Sequence, residues 1–238
     1  MDGNGRWAQQ RRLPRIAGHR KGASSLEAVL KAAHQMGIRY MTLYAFSVEN
    51  WQRPEKEVTA LMRMLEEFLK KAKQQLIKNR ICLKMIGQLE GLPLSIQTLL
   101  KDLIVLSSGY DTFTLILALN YGARTEIIDA IKAYAQAVAA GSETFDVLNW
   151  DHFSRYLYTD GVPDPDLVIR TSGEKRLSNF LLAQCAYSEL YFTDTLWPDF
   201  GPKEFHRAIE HYCQRQRRFG KTSAQVAIPA ARPQPHLV

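Results

Sequence analysis

FTLILALNY, residues 113–121, carries no charge and shows no alternation of polar with apolar positions. A strand with one face in water alternates, whereas a strand covered on both faces does not, and parallel sheets with helices on both sides supply that cover. Shorter β-rich runs lie on either side: IRYMTLYAF (38–46), ICLKMIG (81–87), DLVIRT (166–171) and ELYFT (189–193). Helical patterns stand between them. Strand and helix alternating along a chain predict the α/β class, a single domain whose mostly parallel central sheet is flanked by helices. DLVIRT also lacks alternation, so it and 113–121 are expected at the sheet's centre. Residues 24–36 and 124–140 are helical by composition, the second ended by Gly141. After Pro54, apolar residues recur at helical spacing from Val58 through Leu61, Leu65 and Leu69 to Ile77, which predicts one long amphipathic helix. Periodicity alone reads its stripe as core-facing.

At 238 residues the chain can bury a full core as one domain. Its 46% hydrophobic and 23% charged residues suit neither a disordered chain nor a membrane protein, and the longest apolar run, 113–119, is too short to cross a bilayer. The opening MDGNGRW is unlike a secretory leader, so a cytoplasmic setting is expected. Cys82, Cys185 and Cys213 have no CxxC spacing, which argues against zinc and against a disulfide framework. A net charge of +7 calls for an anionic partner: nucleic acid, a membrane surface or a phosphorylated small molecule.

Several familiar patterns fail on context. GNGRWA (3–8) has the glycine spacing of a dinucleotide fingerprint, but no strand precedes it and RRLPR follows where a helix should run. FGKT (219–222) would put the first glycine of a phosphate loop on Arg215. His206 and His211 are five apart, not the four that align two zinc ligands on a helix. The basic residues are better placed. Arg6, Arg15, His19, Arg20 and Lys21 sit among glycines, and Arg170 and Arg176 flank the TSGE turn after a strand. Loops beyond strand ends are where α/β sheets hold ligands, and guanidinium forks suit phosphate oxygens, so two clusters point to two phosphate groups. Asp2 and Glu189 are the acidic candidates; a hard cation such as magnesium takes one or two carboxylates together with phosphate oxygens. FSVENW (46–51), followed by Arg53, adds a hydroxyl, a carboxylate, an amide and an indole at a strand end.

In this order, MDGNGRWA (1–8), GHRKGA (18–23), LYAFSVENWQRP (43–54), LALNYGAR (117–124), DLVIRTSGEKRLSNFLLAQCAYSELYFTDTLWPDF (166–200) and RRFG (217–220) closely resemble the blocks of the cis-prenyltransferase family, the undecaprenyl diphosphate synthases. The resemblance runs over 1–222 and implies a catalytic domain with an apolar tunnel, whereas SAQVAIPAARPQPHLV (223–238), rich in Ala and Pro without periodicity, reads as a mobile end. It implies a transferase that condenses isopentenyl diphosphate onto an allylic diphosphate, such as farnesyl diphosphate, with cis geometry, making a polyprenyl carrier for cell-wall glycans. Asp2 is then the Mg2+ ligand and catalytic carboxylate, Glu189 a second metal residue and Asn50 a further catalytic residue. Gly3, Asn4, Gly5, Arg6, Arg15 and His19 would cradle the allylic diphosphate, with Trp7 at the edge. Ser47, Glu49, Asn50, Trp51 and Arg53 would form a loop that orders over the substrates, and Ser47 and Asn4 are the candidates for handling the departing proton. Arg170, Arg176 and Ser178 match the isopentenyl diphosphate site. Arg218 and Gly220 match an RxG element that reaches the neighbouring subunit of a homodimer.

The same resemblance places Leu61, Leu65 and Leu69 on the tunnel wall and Phe113 near its floor, allows peripheral membrane contact for product release, and leaves no role for nucleic acid. There is no DDxxD motif, unlike the trans-prenyltransferases. Two departures stand out. Met1 falls where the family's first strand ends, so that strand is expected to be missing before it, and Ala183 replaces an aromatic residue, which bears on pocket shape. A non-catalytic partner subunit is disfavoured by Asp2, Arg15, His19, Arg170 and Arg176, whereas an enzyme joining two allylic units irregularly stays open within the same fold.

Overall fold

The computed structural model describes residues 1–215. Three strands, β1 (Tyr40–Ser47), β2 (Ile81–Ile86) and β3 (Phe113–Tyr121), form a parallel sheet in the order β1-β3-β2. Every residue of β3 is buried. Its Leu115, Leu117 and Leu119 belong to one apolar cluster, while Ile116 and Ala118 belong to another on the opposite face. Neighbouring residues of a strand point to opposite sides, so cover on both faces is what the unbroken apolar run records. The register of β1 against β3 shifts at Phe46 and Ser47. Such a bulge redirects the strand end from which Ser47 emerges.

A second parallel pair, β4 (Leu167–Arg170) and β5 (Glu189–Phe192), sets Leu167 beside Glu189 and Arg170 beside Phe192. Among the described residues every strand pair is parallel, as the alternation with helices indicates, but the strands fall into two sheets. β4 is half-buried along its whole length instead of central. The reason is a cavity, bordered by β1 from Tyr40 to Ser47 and by β4, that lies where full cover was expected.

Among the described residues seven helices accompany the strands: α1 (Asn4–Gln10), α2 (Arg15–Gln35), α3 (Glu55–Asn79), α4 (Leu94–Ser107), α5 (Ala123–Ala139), α6 (Trp150–Phe153) and α7 (Pro202–Cys213). Pro54 and Pro93 precede α3 and α4 and Pro202 opens α7, positions that need no backbone donor. Gly141, with φ 74, follows α5 in the left-handed conformation that stops a helix. Leu26 and Val29 of α2, Leu69 and Leu76 of α3 and Leu100 of α4 pack with β3 into the larger core. Among the described residues no helix is long and apolar enough to cross a membrane.

Helix α2 begins nine residues earlier than composition indicates, because its glycines serve packing. A Cβ on Gly18 would stand 1.9 Å from the Asn4 carbonyl oxygen, and one on Gly22 would stand 2.3 Å from Asn4 Oδ1. These two glycines, one turn apart, let the start of α1 lie directly on α2 and fix the segment that carries Asp2. Overpacking costs about 1–3 kcal/mol even where side chains can adjust, and a backbone carbonyl cannot. Gly18→Ala should lower stability by about 3 kcal/mol or more, read as a lower urea midpoint at unchanged slope. A midpoint equal to that of the unmodified protein would mean that the two helices separate freely.

Candidate active site

One large cavity, of about 1310 Å³, runs between β1, β4, α2 and α3. Its polar end is built around Asp2. The Asp2 N–H donates to Thr171 Oγ1 at 2.9 Å, Thr171 Oγ1 donates back to the Asp2 carbonyl at 2.8 Å, and the Trp197 N–H donates to that same carbonyl at 3.0 Å. The backbone is thus pinned to the end of β4, and the carboxylate is turned toward two donors: Gly3 N–H to Oδ1 at 2.8 Å and Arg170 Nη2 to Oδ2 at 3.1 Å. Burial pushes the Asp2 carboxyl up, but the Arg170 and Gly3 hydrogen bonds outweigh it and hold the group below the usual carboxylate range. Asp2 is ionised at neutral pH. Gly3, at φ 102, passes so close to Leu196 that a Cβ would lie 2.9 Å from its Cδ2.

Arg170 ends β4 and uses its whole fork. Besides Asp2, it donates from Nη1 to Ser178 Oγ at 2.8 Å and to the Arg176 carbonyl. Arg176 itself pairs with Glu174. Arg6 donates to the Ser172 carbonyl at 3.0 Å and to Ser172 Oγ at 2.6 Å, and lies 3.1 Å from Glu174. The structure therefore brings Asp2, Arg170, Arg176 and Ser178 to one end of the cavity, and sets Arg6, which the sequence groups with Arg15 and His19, beside them.

A second cationic group faces it. Arg15 and Arg53 both reach Glu57 at 3.2 Å, and His19 Nε2 lies 4.0 Å from the same carboxylate. Burial and the nearby arginines lower the His19 pKa, so its ring is neutral near pH 7. Both His19 Nε2 and Asn4 Oδ1 are buried with no hydrogen-bond partner among the described residues, and both residues border the cavity. Orphaned buried polar atoms in a native fold mark a site completed by something else. Arg15 lies over Gly5, where a Cβ would meet the guanidinium at 2.8 Å.

Ser47, Glu49, Asn50 and Arg53 also line the cavity, and the Ser47 N–H donates to Asn50 Oδ1 at 3.1 Å. Three expected residues stand elsewhere. Trp51 points to the end of β3, where its Nε1 donates to Asn120 Oδ1 at 2.7 Å and its ring meets Phe46 edge-on. Trp7 is tied outward, donating to Asp199 Oδ1 at 2.7 Å beneath the Arg11 guanidinium. Glu189 is not brought to Asp2: it starts β5 beside Leu167, three residues before the partner of Arg170, or about 10 Å along the strand, and it is ion-paired with Arg215. Arg218 and Gly220 lie outside the described residues.

The other end of the cavity is apolar. Leu61, Leu65 and Phe68 of α3 face it together with Leu43 of β1, while Leu69 is fully buried in the core. The helical stripe is thus tunnel wall on one side and core on the other. Phe113 is not at its floor; its ring is fully buried, edge-on to His34 at 5.9 Å. Ala183 does not border the cavity, though its neighbours Leu181 and Gln184 do.

Sequence reading missed Glu57, which gathers Arg15, His19 and Arg53. Its spacing of four from Arg53 at a helix start was the available signal. It also missed Thr171, whose hydroxyl clamps Asp2 from the far end of the chain.

Residues 1–220 match the prenyltransferase family described as "Putative undecaprenyl diphosphate synthase". The isoprenyl transferase of Agrobacterium fabrum is 47% identical over 231 residues, which is 97% of this chain and 94% of that protein. That of Heliobacterium mobile is 49% identical over 220 residues, 92% of this chain and 85% of that protein. Among solved structures, lavandulyl diphosphate synthase from Lavandula x intermedia in complex with dimethylallyl diphosphate has a TM-score of 0.90 at 34% identity, covering 93% of this chain and 95% of that one. A probable undecaprenyl diphosphate synthase from Campylobacter jejuni has a TM-score of 0.74 at 34% identity, covering 84% and 92%.

Proposed function

The chain belongs to the undecaprenyl diphosphate synthase family of prenyltransferases, and from that premise we propose that it condenses isopentenyl diphosphate onto an allylic diphosphate, with farnesyl diphosphate as primer, to make a cis-polyprenyl carrier of the undecaprenyl class. The observation that carries this reading is a single cavity with two cationic groups at one end and an apolar wall of α3 at the other. Two diphosphates joined to hydrocarbon chains need that combination.

In this reading Gly3, Asn4, Gly5, Arg6, Arg15 and His19 take the allylic diphosphate, and Arg170, Arg176 and Ser178 take that of isopentenyl diphosphate. Arg53 and the orphaned His19 Nε2 donate to phosphate oxygens as Glu57 gives way. The allylic carbon–oxygen bond breaks and its electron pair leaves with the diphosphate. The π electrons of isopentenyl diphosphate form the new carbon–carbon bond, and a proton is lost to set the cis double bond. Cationic groups fixed in advance stabilise the charge that develops on the leaving diphosphate, so positioning and electrostatics supply most of the rate. Asn4 and Ser47, which line the cavity, are the candidates for handling the departing proton in this reading, and Asn50 accepts from the Ser47 N–H.

A magnesium ion fits this site through Asp2. Among the described residues no three carboxylate, histidine or cysteine side chains converge, but magnesium is bound through one or two carboxylates plus substrate phosphates. A half-exposed, ionised Asp2 beside the diphosphate cradle meets that need. When bound, the ion would neutralise charge on the leaving diphosphate. The reading includes a homodimer as the active form, supported by the likeness of Arg218 and Gly220 to an element that completes a neighbour's site, and a cytoplasmic enzyme that releases product at the membrane.

The test is incubation with isopentenyl diphosphate, farnesyl diphosphate and magnesium, with products identified by mass. Chains longer by whole five-carbon units support the reading, and no consumption of isopentenyl diphosphate rejects it. The likeness to lavandulyl diphosphate synthase makes a second arm informative: dimethylallyl diphosphate alone should give no coupled product, whereas an irregular coupling enzyme would make one. The tunnel wall gives a further expectation. Leu65→Trp fills the space beside α3 and should shift products toward shorter chains at similar early turnover; an unchanged distribution would place the tail elsewhere.

A further inference from the structure

Asn179 follows Ser178 and has a left-handed backbone at φ 61, between Ser178 at φ 52 and Leu181 at φ 45. Asparagine tolerates this region, but a run of such residues persists only where the surroundings hold it. Here they do so through three hydrogen bonds. The Ala123 N–H donates to the Asn179 carbonyl at 2.8 Å, the Arg124 N–H donates to Asn179 Oδ1 at 2.9 Å, and Asn179 Nδ2 donates to Glu49 Oε1 at 2.8 Å. The amide thus spans from the first turn of α5 to the loop of residues 47–53, with each end used according to its polarity. Gly122 keeps the space open, since a Cβ there would lie 2.6 Å from Asn179 Nδ2 and 2.9 Å from Val48 Cγ2.

We infer that Asn179 is a positioning residue that couples the loop carrying Ser47, Asn50 and Arg53 to the segment carrying Arg170, Arg176 and Ser178, so that the groups receiving the two diphosphates are set in register with each other. The inference rests on the prenyl-transfer reading for what the two groups bind. Its geometric content is separate: a contact to a carboxylate ties the two loops through the N-terminus of a 17-residue helix, beside Tyr44, whose hydroxyl donates to the Ser178 carbonyl at 3.4 Å. Burial raises the Glu49 pKa less than its hydrogen bonds lower it, with that from Asn179 the largest of these, so the carboxylate is an acceptor only.

This polarity gives a sharp test. Asn179→Asp keeps an oxygen for the Arg124 N–H, and a negative charge at a helix N-terminus is favourable, which offsets part of the loss at Glu49, so the chain should still fold. It places a second carboxylate against Glu49, and hydrogen bonds to charged groups are worth about 1.5–3 kcal/mol. KM for isopentenyl diphosphate should rise about tenfold or more, and amides of residues 47–53 should exchange with deuterium faster. In the double variant with Glu49→Gln, the new amide can donate to the carboxylate introduced at position 179, and both KM and exchange should return most of the way. Asn179→Asp with unchanged kinetics and exchange would overturn the coupling, as would a double variant that restores neither. If the unmodified protein consumes no isopentenyl diphosphate, the prenyl-transfer reading fails, and the exchange measurement still decides whether Asn179 ties the loops.

Discussion

Asp2→Ala should lower kcat/KM by about 10³-fold while leaving the thermal midpoint nearly unchanged. The carboxylate makes its bonds to Gly3 N–H and Arg170 at the cavity's polar end, and its side chain is 42% exposed, so removing it opens no core void. Its ion pair with Arg170 is only partly screened from water, and such pairs contribute about 1 kcal/mol or less. Arg170 also keeps Ser178 and the Arg176 carbonyl when Asp2 is shortened. The lost rate would come from the metal anchor and from the alignment of Arg170, both of which act on the developing charge. Steady-state kinetics with both substrates, paired with a melting curve, separates these effects. A loss of activity matched by an equal loss of folded protein would make Asp2 a structural residue, and retained turnover in EDTA would remove its metal role.

Arg170→Lys should be nearly as damaging, with kcat/KM down by about 10²-fold or more, although the charge is kept. One guanidinium plane serves Asp2 Oδ2, Ser178 Oγ and the Arg176 carbonyl at once. An ammonium is a compact point charge on a flexible stem and cannot hold three acceptors in that arrangement. The segment 176–178 would lose its hold on the end of β4, so KM for isopentenyl diphosphate should rise together with a fall in kcat. A variant that changes KM for the allylic substrate alone would show that the two cationic groups have been assigned to the wrong diphosphates.

The sequence states the fold most clearly where one physical demand dominates. Residues 113–121 must be covered on both faces, and nothing but a central strand satisfies nine buried positions in a row. The long helix after Pro54 is legible for a similar reason, because a stripe repeated along 25 residues has one interpretation. DLVIRT is not so simple. Its apolar character serves a cavity wall as well as a core, and periodicity cannot tell a cavity-facing side chain from a packed one. The start of α2 is hidden because glycines that permit close packing look like loop residues until the chain lying over them is known.

Site residues follow the same division. Asp2 and Arg170 are 168 positions apart and meet because β4 ends where the first residues cross it. Family likeness, not local chemistry, made that pair legible. Among the partners of Glu57 only Arg53 is near in sequence; Arg15 and His19, like Glu49 and Arg124 at Asn179, arrive only in the folded chain. Trp51 and Trp7 sit in the right segments, but their indole N–H groups found Asn120 and Asp199, acceptors that sequence spacing does not reveal.

The most direct measurement is a crystal structure with magnesium and farnesyl thiodiphosphate, a non-hydrolysable analogue of the allylic substrate. Its diphosphate should lie between Gly3 and Arg15, with a metal ion joining it to Asp2 and its hydrocarbon tail along Leu61 and Leu65. A diphosphate bound away from Asp2, or a tail that leaves the cavity without touching α3, would contradict the prenyl-transfer reading.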